Sequence, residues 1–419
     1  MDKLRIGIIG LGTVGSGVYK SLQGFDNVQI TKIAVRNLTK PRSVNVATEI
    51  LTDNPYDIVN DPSIDVVVEL MGGVNPAWDY IKTALENGKH IVTANKELLA
   101  KKGEELFNLA EKQNRVVLYE AAIAGGIPII MPIKTILAGN KISKIQAILN
   151  GTTNYILTKM DVDGASYEDV LKEAQQLGYA ETDPTGDVEG FDAAYKITTL
   201  ATISFNSRVK FENVYREGIT NIRKEDMKRA NELGYKIKLI ASASIDNDNN
   251  ANVRVHPMLV PQSHMLSKID YVTNSVAITG HPIGDIVLSG PGAGEFPTAS
   301  SVIGDILAIA KEWNTTDYLL PMMRCSHNKN ANPIKIDDTY NKYYLSITAP
   351  NAIGIIAKIG TICANKNISL SSILQKGVLD NNTAEITVIT EKCLEKDIKE
   401  VVSELKDCTV NSMLRVMED

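Results

Sequence analysis

The fold of the first part of the chain is decided by the stretch Leu4-Arg5-Ile6-Gly7-Ile8-Ile9-Gly10-Leu11-Gly12-Thr13-Val14-Gly15. An apolar run ends in the glycine spacing GxGxxG and passes into a helix-like segment. The first glycine allows a tight turn, the second lets a pyrophosphate approach the backbone, and the third lets helix and strand pack closely. A helix N-terminus also attracts phosphate. The pattern predicts a dinucleotide site at residues 10–15, with a plain tight turn as the alternative.

Strand-like and helix-like segments alternate from residue 1 to about 133. The strand-like runs are Leu4–Ile9, Val28–Val35, Asp65–Leu70, His90–Thr93 and Val116–Tyr119. Helix-like stretches, such as Trp78–Asn87 and Glu97–Lys112, lie between them. This alternation predicts an α/β domain of Rossmann type, with a parallel sheet and crossover helices.

Residues 134–296 alternate less regularly and predict an α+β domain on a largely antiparallel sheet. Its strand-like runs are Ile142–Leu149, Asn213–Ile219, Tyr235–Ser244, Asn252–Leu259 and Val276–Thr279. The helix-like run Thr298–Glu312 is assigned back to the first domain, which then comprises residues 1–133 and about 297–325.

The polar stretch 326–341 predicts a linker. The last part of the chain, 342–419, predicts the order βαββαβ, which is the ferredoxin-like pattern. Its segments are strand 343–348, helix 353–365, strand 368–375, strand 383–390, helix 394–406 and strand 409–416.

Composition narrows the class of protein. A chain of 419 residues suggests roughly three domains. The net charge of -6 gives no electrostatic footprint for nucleic acid, and no apolar run is long enough to span a membrane. The four cysteines are widely spaced and predict neither a zinc site nor a disulfide framework, which favours a reducing cytoplasm.

The choice of cofactor depends on the end of the second strand. An NAD-preferring site usually has Asp or Glu about 20 residues after the glycine turn. Here the sequence carries Arg36, with Lys40 nearby. Cations suit a 2′-phosphate, so NADP(H) is the preferred cofactor and NAD(H) remains possible. Two ordinary solvated cations are the alternative.

Ligands of open α/β sheets bind beyond the carboxyl ends of the strands. Thr93 and Lys96 lie at one such end, where a strand passes into a helix. Lys96 is therefore a candidate beside the nicotinamide, although it could also be a solvated first-turn lysine. Two other strand ends begin at Glu69 and at Glu120.

The densest polar cluster runs from Gly178 to Thr198 and contains Asp187, Asp192 and Lys196. Asp187 is a candidate N-cap for the following helix. Asp192 and Lys196 are four residues apart and share one face of a helix that is otherwise apolar. A surface salt bridge is one interpretation. The other is a desolvated lysine with a lowered pKa, which could exchange a proton with a substrate oxygen.

Five motifs resemble homoserine dehydrogenase over essentially the whole chain. They are GLGTVG at 10–15, VTANK at 92–96, YEAAIAGGIP at 119–128, NGTTNYIL at 150–157 and GYAETDPTGDVEGFDAAYK at 178–196. That family interconverts homoserine and aspartate 4-semialdehyde with NAD(P)(H). The resemblance implies that residues 134–296 catalyse the reaction and form a homodimer.

The resemblance also implies roles for single residues. Lys196 would be the general acid/base, Lys96 a second catalytic lysine, and Asp192 a catalytic carboxylate that holds substrate. Other substrate contacts would come from Glu181, Asp187, Gly151 and Thr152. A monovalent cation such as sodium would be held by Glu120, Ile123, Gly125 and Ile127. Gly292, in the loop Gly290–Gly294, would contact the cofactor, or simply form a tight turn.

The last 80 residues resemble an ACT domain, a module that binds amino acids at paired interfaces. Asn351 and Ile353 replace the Asp and Pro of the family's usual turn, whereas Gly354 is kept. Threonine is the expected effector, and a purely dimerising domain is the alternative. ACT pairing could convert dimers into tetramers. The absence of a preceding kinase region suggests a monofunctional enzyme.

Two other functions fit parts of the sequence. An acylating semialdehyde dehydrogenase needs a cysteine thiolate, and residues 1–324 contain no cysteine. A non-catalytic amino-acid sensor would not need the intact glycine turn and both candidate lysines.

Overall fold

The computed structural model describes residues 3–312, 325, 327, 329–378 and 382–418. A six-stranded parallel sheet organises the first part of this described chain, in the strand order β3-β2-β1-β4-β5-β6. Its strands are β1 Leu4–Ile9, β2 Val28–Ala34, β3 Leu51–Thr52, β4 Val66–Glu69, β5 His90–Thr93 and β6 Val117–Leu118. The predicted Rossmann-type sheet is confirmed, and the order reverses between β1 and β4, where such sheets bind ligands.

Helices cover both faces of this sheet and complete its βα units. They are α1 Thr13–Leu22, α2 Tyr56–Val59, α3 Ala77–Glu86, α4 Lys96–Lys112, α5 Ala121–Ala124 and α6 Ile130–Lys134. The three valines of β4 are completely buried, as a strand covered on both faces requires.

A larger mixed sheet organises the rest of the described chain. Its main path is β12-β11-β7-β9-β10-β18-β14-β16-β15, with β8, β13 and β17 attached at its sides. The strands before the C-terminal unit are β7 Lys141–Ile148, β8 Tyr215–Arg216, β9 Tyr235–Ile245, β10 Asn250–Pro261, β11 Thr273–His281, β12 Gly284–Pro291 and β13 Asn332–Pro333. The long strands from β7 to β12 pair antiparallel, as predicted.

The helices of this middle part pack on the sheet and against the first domain. They are α7 Gly151–Asp163, α8 Tyr167–Gln176, α9 Thr185–Val188, α10 Phe191–Phe205, α11 Lys224–Glu232 and α12 Glu295–Glu312. α12 shares an apolar core with α1 and β1 through Ala299, Val302 and Ile306. Residues 313–324, which the sequence also assigned to the first domain, lie outside the described residues.

The C-terminal unit has the predicted βαββαβ order and its own apolar core. Its main elements are β14 Tyr340–Pro350, α13 Ile355–Asn365, β15 Leu370–Val378, β16 Thr383–Thr390, α14 Glu395–Glu404 and β18 Thr409–Val416, with the short β17 Cys393–Leu394 before α14. β18 pairs parallel with β10 through Met258 opposite Arg415 and Leu259 opposite Val416, so the two sheets are continuous.

Three local predictions were wrong. β12 was missed, because it is a half-exposed outer strand that begins at Gly284 and ends at Pro291 and has no clear apolar alternation. The strand expected over 213–219 shrinks to β8, because Ile219 donates instead to the carbonyl of Val188 at 2.8 Å. Part of the predicted linker is structured, since β13 pairs with β10 and β14 begins at Tyr340.

Within the described ranges, no helix is both long enough and apolar enough to cross a membrane.

Candidate active site

Two lysines share one carboxylate at the start of α10. Asp192 lies in the first turn of α10, and Lys196 follows one turn later on the same face. Lys196 Nζ lies 2.7 Å from Asp192 Oδ2. Lys96, the first residue of α4, forms an ion pair with the other oxygen, Oδ1. The structure therefore brings together all three residues predicted to be catalytic, from helices about 100 positions apart in the sequence.

Lys196 is buried, with 8% of its surface exposed. Besides Asp192, its ammonium donates to the carbonyl of Leu149 at 2.7 Å, at the end of β7. Burial and the charge of Lys96 lower the pKa of Lys196, Asp192 raises it, and the net direction is downward. The charges of Lys196 and Lys96 overcome the cost of burial at Asp192 and lower the pKa of that carboxyl. The interpretation as a surface salt bridge is therefore wrong for Asp192 and Lys196.

Lys96 differs from Lys196 in its access to solvent, since 43% of its side chain is exposed. The charge of Asp192 raises the pKa of Lys96 despite desolvation, with Asp187 and Glu181 contributing in the same direction. One lysine is thus held as a cation at the mouth of the site, while the other is buried with a lowered pKa.

Asn150 joins the acidic residues of the site, and the sequence analysis missed it. Its Nδ2 donates to Asp187 Oδ1 at 2.7 Å and to Asp192 Oδ2 at 2.9 Å. Its Oδ1 accepts from the backbone N–H of Thr153, as an N-cap of α7. An asparagine immediately before a helix-like segment was the available signal for such a cap.

Asp187 is not an N-cap of α10, contrary to the sequence prediction. It lies in α9, and α10 begins at Phe191 after Gly190 in the left-handed region, with φ +77°. Its carboxylate instead faces Asn150, and burial raises its pKa.

The remaining predicted substrate residues lie around the same helix ends. Thr152 Oγ1 donates to the carbonyl of Tyr179 at 2.7 Å, and the backbone of Gly151 packs against Val272. Glu181 is exposed and lines an open cavity of about 540 Å³. Glu181 is also close enough to Lys96 to influence its pKa.

The glycine turn fits a dinucleotide phosphate. Gly10 has φ +106°, and a β-carbon there would approach the carbonyl of Leu70 to 2.9 Å. A β-carbon at Gly15 would collide with the carbonyl oxygen of Gly10. Gly12, by contrast, faces open space at the N-cap of α1, where no side chain caps the helix. That opening and the helix N-terminus provide the cradle that a pyrophosphate requires.

The other residues of the turn are placed around this opening. Thr13 is exposed as the first residue of α1, whereas Leu11 and Val14 pack against the core of the parallel sheet. Arg36 and Lys40 are both exposed in the loop that follows β2. This loop lies beside the β1 end of the sheet, as expected for residues that read a ribose substituent.

A buried carboxylate supports the strand ends behind Lys96. Glu69 accepts from the Thr93 hydroxyl at 2.6 Å and from the backbone of Met71 at 2.8 Å. Burial raises the pKa of Glu69. Asn95 caps α4 by accepting from Leu98 and donates to the carbonyl of Gly73 at 2.6 Å. The hydroxyl of Thr93 therefore donates to Glu69 and not to a ligand. The bonds of Asn95 fix the first turn of α4, in which Lys96 lies.

The predicted cation loop packs closely against the glycine-rich loop after β12. The Glu120 carboxylate accepts from the backbone N–H groups of Ile129, Ile130 and Met131. The Gly125 carbonyl accepts from Ser301 at 2.6 Å, and Gly125 lies against Gly292. Ile123 and Ile127 are buried nearby.

Among the described residues, no group of three or more His, Cys, Asp or Glu side chains could hold a metal ion. Sodium binding by Glu120 and backbone carbonyls, like the roles of Thr93 and Gly292 at the cofactor, stays a prediction.

Chemically, the site combines a phosphate cradle, a buried lysine with a lowered pKa and a half-buried lysine with a raised pKa. Such a lysine pair can stabilise a developing negative charge on a substrate oxygen and exchange a proton with it.

Family models match three consecutive regions of the chain. One described as homoserine dehydrogenase, NAD binding domain, matches residues 10–120. A second, described as homoserine dehydrogenase, matches residues 128–307, and the ACT domain model matches residues 343–409.

Curated relatives and solved structures carry the same name. A homoserine dehydrogenase of Synechocystis sp. is 41% identical, with 99% of each chain covered. One of Bacillus subtilis is 39% identical, covering 98% of this chain and 96% of the relative. The crystal structure of a homoserine dehydrogenase from Thiobacillus denitrificans superposes with a TM-score of 0.94 at 37% identity, covering 100% of this chain and 99% of that one. A hyperthermophilic archaeal homoserine dehydrogenase in complex with NADPH has a TM-score of 0.65 at 28% identity, covering 74% of this chain and 98% of that one.

Proposed function

The chain belongs to the homoserine dehydrogenase family, and we propose that it reduces L-aspartate 4-semialdehyde reversibly to L-homoserine with NADPH. Family membership makes it an NAD(P)-dependent oxidoreductase acting on a CH–OH group, which argues against an acylating semialdehyde dehydrogenase and against a non-catalytic amino-acid sensor. The synthetic direction would serve the formation of threonine, methionine and isoleucine in the cytoplasm.

The observation that carries the proposal is the carboxylate of Asp192 shared by Lys196 and Lys96. In the reductive direction, Lys196 donates a proton to the oxygen of the aldehyde as it becomes an alkoxide. In the oxidative direction, the neutral amine of Lys196 removes that proton from the hydroxyl. Burial supports this role, because it lowers the pKa of Lys196 and so makes the neutral amine more accessible.

The charged groups around Lys196 stabilise the substrate oxygen and bind the substrate ammonium group. Lys96 stays protonated beside Asp192 and stabilises the negative charge on the substrate oxygen. Asp192 keeps both lysines in place and, with Glu181 and Asp187, offers carboxylates to the ammonium group of the substrate. The geometry of Asn150 supports this assignment, because it holds Asp187 and Asp192 side by side.

The nicotinamide cofactor supplies or accepts the hydride. Residues 10–15 would hold its pyrophosphate, and Arg36 and Lys40 would pair with the 2′-phosphate of NADP(H). The exposed position of both cations supports this preference. Equal or better efficiency with NADH than with NADPH would contradict it.

Regulation is proposed for the ACT domain. Threonine, the end product of the pathway, would bind there and reduce activity, and the domain would contribute to a dimer or tetramer. Inhibition by millimolar threonine tests the first part. Sedimentation with and without threonine tests the second.

The activity itself is tested by adding homoserine and NADP⁺ to the purified protein at alkaline pH and following NADPH formation. Serine, which has the same α-amino acid head and a hydroxyl one carbon closer, is the matched control substrate. We expect turnover with homoserine and at most slow turnover with serine. A protein that reduces NADP⁺ with neither compound would contradict the proposed function.

A further inference from the structure

The loop that leads into α10 is held locally by two backbone hydrogen bonds, from Glu189 to the carbonyl of Thr185 and from Gly190 to the carbonyl of Asp187. Gly190 occupies the N-cap position in the left-handed region, and no side chain caps the helix there. Asp192 follows immediately in the first turn, with Lys196 one turn beyond. Any shift of the loop from Val188 to Phe191 would therefore displace the carboxylate that both lysines share.

Arg216 of β8 adds side-chain contacts to this loop. Its guanidinium carbon lies 3.4 Å from the centre of the Phe191 ring. Its Nη1 donates to the carbonyl of Glu189 at 2.8 Å. Its Cγ would lie 3.4 Å from a β-carbon at Gly190. One half-buried side chain thus contacts three consecutive residues that precede Asp192.

Residues 218–220, which follow Arg216, also contact the loop before α10. Ile219 donates its N–H to the carbonyl of Val188 at 2.8 Å, and the Thr220 hydroxyl donates to the Glu189 carboxylate at 3.3 Å. Gly218 leaves no room for a β-carbon against Val188. On its other side, β8 pairs with β10, a central strand of the large sheet. The loop is therefore braced against a rigid element.

The charge of Arg216 is not what a helix N-terminus favours, since the partial charge there is positive. Stacking on Phe191 and the bond to Glu189 offset that cost. A planar guanidinium can make both contacts at once, whereas a lysine ammonium cannot.

We infer that Arg216 is a positioning residue, which sets the place of Asp192 between the two lysines without touching substrate or cofactor. The inference rests on the proposed function, because it concerns the proton exchange assigned to Lys196.

The variant Arg216→Gln removes the stacking and the charge. We expect kcat for homoserine oxidation to fall on the order of 10-fold, because small displacements of catalytic groups have effects of this size or larger. The KM for NADP⁺ should stay unchanged, since the contacts of Arg216 are with the loop before α10 and with β10. Arg216→Lys keeps the charge and should recover only part of the loss.

The pH profile separates positioning from a merely structural role. Among the described residues, the charged groups that face Lys196 are Asp192 on its own helix, Lys96 from α4 and Asp187 from α9. Asp192 raises the pKa of Lys196, so a displaced Asp192 lets that pKa fall further. The ascending limb of kcat/KM for homoserine oxidation then moves to lower pH in Arg216→Gln. A protein that only lost stability would show a lower melting temperature and an unmoved limb.

Arg208→Gln is the matched control, because Arg208 follows the opposite end of α10 and pairs with Glu104. It should leave both the limb and kcat unchanged. An Arg216→Gln enzyme with wild-type kcat, or with an unmoved limb, overturns the inference while the proposed function stands. If that variant does not fold, the same two measurements on Arg216→Lys decide. A wild-type protein without homoserine oxidation overturns both proposals.

Discussion

Two charged clusters of this molecule, each with a buried central ion, have opposite charge arrangements. In the candidate active site, the carboxylate of Asp192 lies between Lys96 and Lys196. At the junction with the ACT domain, Arg415 lies between Glu395 and Glu217. Arg415 is 1% exposed and Glu395 is completely buried. Each cluster joins two parts of the chain, and each has one central ion with two partners.

The difference between lysine and arginine explains what each cluster can do. Burial lowers the pKa of Lys196, and this lysine can therefore gain or lose a proton. Burial also disfavours the charge of Arg415, but Glu395 outweighs that effect and raises the pKa of the guanidinium. Arg415 remains charged at any relevant pH. The first cluster is suited to proton transfer and the second to permanent attachment of the ACT domain.

The largest expected effect comes from Arg415→Met. Among the described residues, removing the guanidinium leaves the buried Glu395 with the hydroxyl of Tyr343 at 2.7 Å and with Lys399 at 3.5 Å, and leaves Glu217 with the hydroxyl of Tyr215 at 3.1 Å. Breaking a buried ion pair on one side destabilises by about 3–5 kcal/mol. We expect the ACT domain to melt at a clearly lower temperature, measured by calorimetry.

Arg5→Met is the matched control for this prediction, because Arg5 also pairs with a carboxylate, Asp65, but is 44% exposed. Its effect should stay within about 1 kcal/mol. Equal destabilisation by the two variants would show that the buried junction is no stronger than a surface ion pair.

The next effect concerns the central ion of the other cluster. Asp192→Asn keeps the shape of the side chain but removes the charge that both lysines share. We expect kcat/KM for homoserine oxidation to fall about 100-fold, since a charged group at a reacting centre is lost. The pKa of Lys196 also falls further, which moves the ascending limb of the pH profile to lower pH. Asp183→Asn, at an exposed position just before α9, should change neither quantity.

The smallest effect is the response of the junction to acid. Burial would raise the pKa of Glu395, but Arg415 outweighs it and lowers that pKa below its ordinary value of 4.5. The Glu395 carboxylate therefore binds a proton less readily in the folded state than in the unfolded state. The stabilisation is fully present above pH 4.5 and is lost as the pH falls through the folded pKa, at about 1.4 kcal/mol for each unit of pKa shift.

Melting temperatures measured from neutral to acidic pH test this response. The melting temperature of the wild type should fall more steeply below pH 4.5 than that of Arg415→Met, which has already lost the interaction. Parallel curves for the two proteins would contradict the assignment of this acid sensitivity to Glu395.

The sequence predicted those features that depend on local pattern. The glycine turn, the buried valines of β4 and the βαββαβ order each have a periodicity or spacing that fixes them. The close approach of Lys96 to Asp192 is a different matter. It depends on the packing of α4 against α10. The resemblance to homoserine dehydrogenase, and not the spacing in the sequence, indicated that Lys96 and Asp192 belong to one site.

The features that were missed depend on tertiary contacts. β12 is an outer strand whose position is set by β11, and the parallel pairing of β18 with β10 joins strands about 150 residues apart. Asp187 is a residue type that often caps helices, but its carboxylate instead accepts a hydrogen bond from Asn150. Nothing local distinguishes Arg216 from an ordinary surface arginine.

The central claim is that Lys196 exchanges the proton. The most direct test compares NADP⁺ reduction by homoserine in the wild type and in Lys196→Ala at alkaline pH. We expect turnover by the wild type and a loss of kcat on the order of 100-fold or more in the variant, with the KM for NADP⁺ unchanged. A Lys196→Ala enzyme that turns over like the wild type would contradict the claim and make Lys96 the leading candidate for the proton exchange.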